Sequence, residues 1–565
     1  MNLLGTAWGL PARWHPDEKA DAAAEMARSG RARPDSFINP SLPLYVMVPP
    51  IWLQDRLARA GLLTGHAADP LLLGRALSAL AGAAAVWTLG WTVARAHPAC
   101  GLLAALFLAL MPGFVNLCHF ATPEPWVMLG VSATLAVAVA HADGRAPAWA
   151  LGAVLGLTAS TKYTAAALLV PAVAAVWMRR RNDQGPRWVW MAAAGALAFG
   201  LGACVAAADT TLAGHLHLKD ARLLHPEHAK GFVRGAARIA MAAGVAALAV
   251  ALLARGGRPW AVRLARRELF VMGATAVAGF LVGTPYAALD PAAFASDLAY
   301  NHQTRFEYKG LAGASTSFVP YLLLFAAAMT LPLLAAATAG AMVAAARGLR
   351  GEAAAVVALT AALAPYLLVA ASGHQAMRFL APALPAGAWL AALGLAALPA
   401  APARRAAAAL VLARLAVAAA LVVRLFFVDS RIEAGRWLEA HVPTGATVDL
   451  IANNPGYAPA IPPGRTLRVV PTLSREMAPA HRFADAAVRY PAEASDWLVL
   501  TASYYERFLD HPDQRPERAA FFRELLAGRG GFEVKARFRQ QGWRRPEAEF
   551  LDPEIVVLRK TTPMP

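Results

Sequence analysis

The stretch LLLGRALSALAGAAAVWTLGWTVA, residues 71–94, decides the fold class. Crossing a bilayer takes about 20 consecutive apolar residues in helical form, and this segment is longer with a single charge. Comparable segments follow at roughly 99–117, 124–140, 148–162, 163–178, 188–208, 236–254, 269–286, 319–345, 353–371, 378–398 and 406–427. The pair 148–162 and 163–178 is short, with Ser160-Thr-Lys-Tyr163 between its members, and the flanking charges predict two half-length helices. Residues 42–53 are apolar but interrupted by Pro43, Pro49 and Pro50, which predicts a re-entrant or interfacial segment. Over the whole chain, 58% of residues are hydrophobic and 16% charged, with mean hydropathy +0.43. A soluble chain sits near half apolar and a quarter charged. The expectation is an α-helical polytopic membrane protein with about 12 spans.

The net charge of +17 does not point to nucleic acid, because the basic residues fall in small groups between apolar segments. Arg95, Arg145, Arg179, Arg180, Arg181, Arg187, Arg255, Arg258, Arg263, Arg266, Arg267, Arg347, Arg350, Arg404 and Arg405 occupy alternating loops in unbroken register. The positive-inside rule makes that side cytoplasmic. The opposite loops are then external and hold the acids. Cys100, Cys118 and Cys204 show neither metal nor disulfide spacing.

Three regions are expected. Residues 1–70 form an external loop with short helices and the interrupted segment, 71–428 the membrane bundle, and 429–565 a small α/β domain on the outer face. In the last region, 446–451, 496–501 and 554–560 read as strands, and 430–441 and 516–527 as helices.

The chemistry concentrates in the external loops. Trp14-His-Pro-Asp-Glu18 places adjacent carboxylates at the start of a short helix, whose positive end favours the ionised form. Acids at a helix start are ordinary, but Asp17 and Glu18 so placed also suit a base that must be deprotonated at neutral pH. Neighbours on a helix point about 100° apart, so the two acids should differ in role. Thr122-Pro-Glu-Pro125 repeats the design and sets Glu124 at the outer boundary of a span. Lys162 interrupts an apolar stretch and Arg378 opens one; both could snorkel, or hold a phosphate. Arg305 and Lys309 are weaker candidates of that kind, and His15, Tyr163, His119 and His374 are second-line polar contacts. The 209–235 loop carries His215, His217, His225 and His228, a density that would suit a divalent metal, although no ligand spacing stands out. No other cofactor is indicated.

The order of these pieces resembles the GT-C superfamily of polytopic glycosyltransferases, in its branch of protein O-mannosyltransferases and aminoarabinose–lipid A transferases. The resemblance lies in the His15-Pro-Asp-Glu18 loop, Asn39-Pro-Ser-Leu-Pro-Leu-Tyr45, Ala121-Thr-Pro-Glu-Pro125 and Ser160-Thr-Lys-Tyr163. It continues in Gly283-Thr-Pro-Tyr286 with Asp290-Pro291, and in Arg378-Phe-Leu-Ala-Pro382 with Pro385. It implies a sugar donor linked to polyprenyl phosphate, an acceptor that is lipid, glycan or protein, and inversion at the anomeric carbon. Asp17 would be the base and Glu18 its acceptor-positioning partner. Glu124 would be a second external acid, and Lys162 and Arg378 would hold the donor phosphate. The site would face the periplasm or exterior of a cytoplasmic membrane. The family also carries a span ahead of the acidic loop, where this chain has only about a dozen residues, so an N-terminal truncation or mis-assigned start is expected. With that span the count would be thirteen.

Two rival classes fit less well. A transporter would place its binding groups near the midplane, often in paired broken helices of repeated halves. Here the acids gather at one face, and no internal repeat is found. A non-catalytic envelope scaffold would leave the paired acids and flanking cations without a task.

Overall fold

The computed structural model describes residues 3–179, 187–207, 226–255, 266–304, 317–452, 454–470, 494–513, 515–539 and 546–561. The protein is a helical membrane bundle carrying a small C-terminal α/β domain. Among the described residues, seven helices are long and apolar enough to cross a membrane, and shorter apolar helices accompany them. The first long one, Pro70–Ala96, starts on an Asp69 cap whose carboxylate accepts from Leu71 N–H at 2.9 Å, with Pro70 at its first position. Helix Met377–Ala396 is the most enclosed of the seven.

Prolines set where the expected spans break. The segment 99–117 is two helices, Gly101–Leu110 and Pro112–Leu117, because Met111 is extended ahead of Pro112. Likewise 319–345 is Phe318–Met329 and Leu331–Leu349, joined at Thr330 with φ +74°. The half-length pair takes the expected form. Helix Ala148–Ala159 ends at Ser160, and a 3-10 turn, Tyr163–Leu168, leads into helix Leu169–Met178.

Residues 42–53 are not interrupted at their prolines as expected. They belong to one helix, Leu42–Arg59, that runs through Pro49 and Pro50. An internal proline removes a backbone bond and crowds the preceding turn. Packing compensates here: Leu44, Met47 and Ile51 are buried with Ala20, Ala23, Met26 and Leu71. The opposite face exposes the apolar Val46, Trp52 and Leu53, so the helix is apolar on both faces, as an interfacial segment packed against the bundle is.

Small residues let the membrane helices meet backbone to backbone. A Cβ added to Gly156 would stand 2.0 Å from the Ala276 carbonyl oxygen, and one on Gly340 only 1.7 Å from that of Leu390. The polar groups divide between the two ends of the bundle. At one end His97 pairs with Glu352, Arg347 lies 3.7 Å from Glu352, and Arg179 meets Glu268 at 3.2 Å. The acidic loop, Glu124, Lys162 and Arg378 gather at the other.

After the helix Ser430–His441 comes a five-stranded sheet: β1 Thr447–Leu450, β2 Thr466–Val469, β3 Trp497–Thr501, β4 Phe532–Phe538 and β5 Ile555–Lys560. The order is β2-β1-β3-β5-β4, with β1 parallel to β2 and β3, and β5 antiparallel to β3 and β4. The central β3 and β5 are nearly continuous apolar runs, as strands covered on both faces must be. The edge strand β4, Phe532-Glu-Val-Lys-Ala-Arg-Phe538, alternates.

Candidate active site

The acidic loop is held to the bundle by Glu18. Both its oxygens take the Arg75 guanidinium at 2.8 Å, and Oε1 also accepts Ala121 N–H at 2.9 Å. Arg75 is 1% exposed and donates onward to the Thr6 and Trp8 carbonyls. Lys19 N–H adds a bond to the Ala121 carbonyl at 2.8 Å. Glu18 is thereby fully engaged and turned inward. Its geometry is that of an anchor, which differs from the acceptor-facing role drawn from the resemblance.

Asp17, its neighbour, faces the opposite way, and its side chain keeps 43% of its surface open. Its oxygen lies 3.6 Å from the Arg378 guanidinium. Its own N–H donates to His15 Nδ1 at 3.1 Å, so that nitrogen carries no proton and the imidazole is neutral. His15 is wedged between the rings of Phe120 and Phe550, and burial lowers its pKa to about 4 despite the nearby carboxylates Glu18 and Asp17. Burial pushes the Asp17 carboxyl up, but the cations Arg378, Lys19 and Lys162 outweigh it and hold it below its ordinary value.

Glu124 opens the helix Pro123–Ala142, and Lys162 stands at the break between the half-length helices. Their side chains, each 6% exposed, meet at 2.5 Å. Lys162 also donates to the Arg378 carbonyl at 3.1 Å and lies over the Phe379 ring. Arg378 is therefore tied to Lys162 through its main chain and to Asp17 through its side chain. Its remaining partner was not foreseen. Glu549, from the C-terminal domain, accepts Arg378 N–H at 3.0 Å and pairs with its guanidinium. The next residue, Phe550, covers both Arg378 and His15 at a φ of +73°.

The other expected residues frame this centre. Tyr163 donates to the Phe37 carbonyl at 2.7 Å, and Leu42 N–H to the Ser160 carbonyl at 3.1 Å. A Cβ on Gly283 would stand 2.0 Å from Ser160 Oγ, and Thr284 Oγ1 accepts Ser41 N–H at 3.3 Å. The motifs around residues 39–45, 160–163 and 283–286 thus converge on one corner. Asp297 completes it by accepting Phe37 N–H at 2.5 Å. The His374 ring stands edge-on to Phe379 at 5.1 Å, and its carbonyl accepts the Tyr321 hydroxyl at 2.7 Å. His119 stacks on Phe426. Arg305, Lys309, His215, His217, His225 and the side chain of His228 lie outside the described residues, so the metal suggestion for that loop does too. Among the described residues, no group of three His, Cys, Asp or Glu could hold a metal.

Glu549, Phe550 and Arg75 escaped the sequence reading. Arg75 sits inside a span, where an ionisable residue needs a buried partner, and that was a usable signal. Glu549 carried none, being one acid in a loop of a soluble domain.

Residues 57–202 match the model of the dolichyl-phosphate-mannose-protein mannosyltransferase family. No curated protein matches the chain. Among solved structures, ArnT from Cupriavidus metallidurans bound to undecaprenyl phosphate is 14% identical, covering 97% of this chain and 95% of that one, with a TM-score of 0.42. The apo oligosaccharyltransferase of Archaeoglobus fulgidus is 13% identical, covering 92% and 71%, with a TM-score of 0.48. The mycobacterial arabinofuranosyltransferase AftD is 15% identical, covering 99% and 39%, at 0.34. These likenesses are loose, and the similarity to the mannosyltransferase family lies in residues 57–202.

Proposed function

We propose that this protein moves a sugar from a polyprenyl-phosphate donor to an acceptor at the outer face of a cytoplasmic membrane, with inversion. The observation that carries the reading is the 3.6 Å approach of Asp17 to Arg378, with Lys162 behind it. A base and two phosphate-binding cations then stand side by side at one end of the bundle. Asp17 takes the proton of the acceptor hydroxyl as that oxygen attacks the anomeric carbon. The bond from that carbon to the phosphate oxygen breaks, and its electron pair stays on the phosphate. Arg378 and Lys162 stabilise the charge that develops there. The depressed pKa keeps Asp17 ready at neutral pH. Neutral His15 fixes the Asp17 backbone, while Glu18, bound to Arg75, holds the loop in place and acts as a positioning residue.

The membrane supplies the donor laterally, and the acceptor is an envelope lipid, a glycan or a protein, reaching Asp17 from the open side. The alternation of basic loops supports placing the site outside and the arginine-rich end inside. Mass spectrometry of envelope glycolipids and glycoproteins, with and without the gene, tests the proposal. Loss of one glycan species, restored by the wild-type gene, is expected. Identical profiles in both strains would count against it.

A further inference from the structure

The charges around Asp17 do not leave room for another anion. Three cations, Lys19, Lys162 and Arg378, already balance three carboxylates, Asp17, Glu124 and Glu549. A donor phosphate would add at least one negative charge beside them, so one carboxylate must give way. Asp17 is the base of the reaction proposed above. Glu124 is locked in the first turn of a span, enclosed with Lys162. Glu549 differs from both. It comes from a loop of another domain and mimics the contacts a phosphate would make, taking the Arg378 guanidinium and main-chain N–H together.

We propose that Glu549 is a built-in stand-in for the donor phosphate, which must displace its side chain to reach Arg378. The loop around it suits such a release. Its neighbours are pinned independently, the Phe550 carbonyl by Arg431 at 2.6 Å and Asp552 N–H by Asp429 at 2.9 Å. The carbonyl of Glu549 itself accepts from Asn116 at 3.2 Å. The main chain therefore stays in place while the carboxylate turns out. Phe550 and Asp552, non-glycine residues at φ +73° and +48°, hold the turn in a conformation that such side chains rarely adopt. The consequence is coupling: a vacant site has the Glu549 carboxylate latched on Arg378, and an occupied one has it released while the loop backbone stays in place. A latch of this kind weakens ligand binding by the fraction of molecules in which it is open.

The inference rests on the donor reading, and one experiment separates the two. Binding of undecaprenyl phosphate is measured with wild-type protein, Glu549→Gln and Glu549→Asp in nanodiscs, alongside inorganic phosphate. Glu549→Gln should bind the lipid several-fold tighter, about tenfold if the latch is closed in nine molecules of ten. Glu549→Asp should stay near wild type, and all three should melt at similar temperatures. Unchanged or weaker lipid binding by Glu549→Gln would show Glu549 to be only a support for Arg378 and would overturn the proposal. Tightening for inorganic phosphate without tightening for the lipid would assign the anion site to free phosphate and also overturn it. If the lipid binds to none of the proteins, the donor reading itself falls, and the latch with it.

Discussion

At the scale of single residues, the site is an exercise in pairing charges that would be costly alone. Glu124 and Lys162 are each 6% exposed, so either one without the other leaves a buried charge. Removing one partner of such a pair costs roughly 3–5 kcal/mol, whereas replacing both by apolar or neutral groups costs much less. Glu124→Gln should therefore lower the melting temperature in detergent markedly, and Glu124→Gln with Lys162→Met should regain part of the loss. The double variant should still bind polyprenyl phosphate more weakly than wild type, because one of the two cations is gone. Asp17 follows a different rule. It acts only when ionised, and its carboxyl is held below its ordinary value. Transfer should thus persist as pH drops through the usual carboxylate range near 4 and fall only below it. Lys19 contributes to that depression from outside the cation pair. Lys19→Gln should shift the acid limb of the rate profile upward and leave the neutral plateau alone. An acid limb that does not move would remove Lys19 from the electrostatic account.

Among the elements, the corner where three motifs meet is the most tightly specified. Gly283 ends the helix Arg267–Gly283, where an added methyl would stand 2.0 Å from Ser160 Oγ and 2.7 Å from its Cβ. Gly283→Ala should destabilise the protein by about 1–3 kcal/mol, as overpacking of a well-filled core does. Adding Ser160→Gly should return most of it, which thermal unfolding of the single and double variants can read out. Much of this level was legible in the sequence. Span positions followed from apolar length, and the gathering of the acids at one end from the alternation of arginines. The breaks at Met111 and Thr330 were not seen, although Pro112 and Pro332 marked them, because an apolar count is blind to backbone geometry. The continuity of the helix Leu42–Arg59 was hidden for the opposite reason. Pro49 and Pro50 argued locally for a break, and packing against Ala20, Ala23 and Leu71 overrode them. Strand β4 went unread despite its clean alternation, whereas β2 has only four residues and little pattern to find.

For the whole molecule, the membrane bundle and the C-terminal domain share a buried junction. Asp429 accepts from Trp8 Nε1 at 3.1 Å and pairs with Arg431 at 2.8 Å, and Arg431 lies between the rings of Trp8 and Trp14. Residues from both ends of the chain are thereby fixed around one ion pair. Such contacts between positions hundreds of residues apart leave no trace in local pattern, which is why Glu549 and this junction stayed hidden while Asp17, Lys162 and Arg378 did not. Arg431→Met leaves Asp429 buried without its cation and should cost roughly 3–5 kcal/mol. Hydrogen exchange should then rise in residues 546–561 and in the first turns around Trp8, with membrane insertion unchanged. Protection equal to wild type in both regions would mean that the junction does not hold the domain.

The proposed transfer turns on Asp17. The most direct measurement is sugar transfer from a polyprenyl-phosphate donor by the purified Asp17→Asn variant, compared with wild type, once mass spectrometry has identified the glycan. The amide fills the same space as the carboxylate but cannot take a proton, so transfer should fall by at least about 100-fold, within the usual range of general-base contributions. Insertion, melting temperature and binding of undecaprenyl phosphate should remain near wild type. Transfer within a few-fold of wild type by a folded Asp17→Asn protein would contradict the assignment.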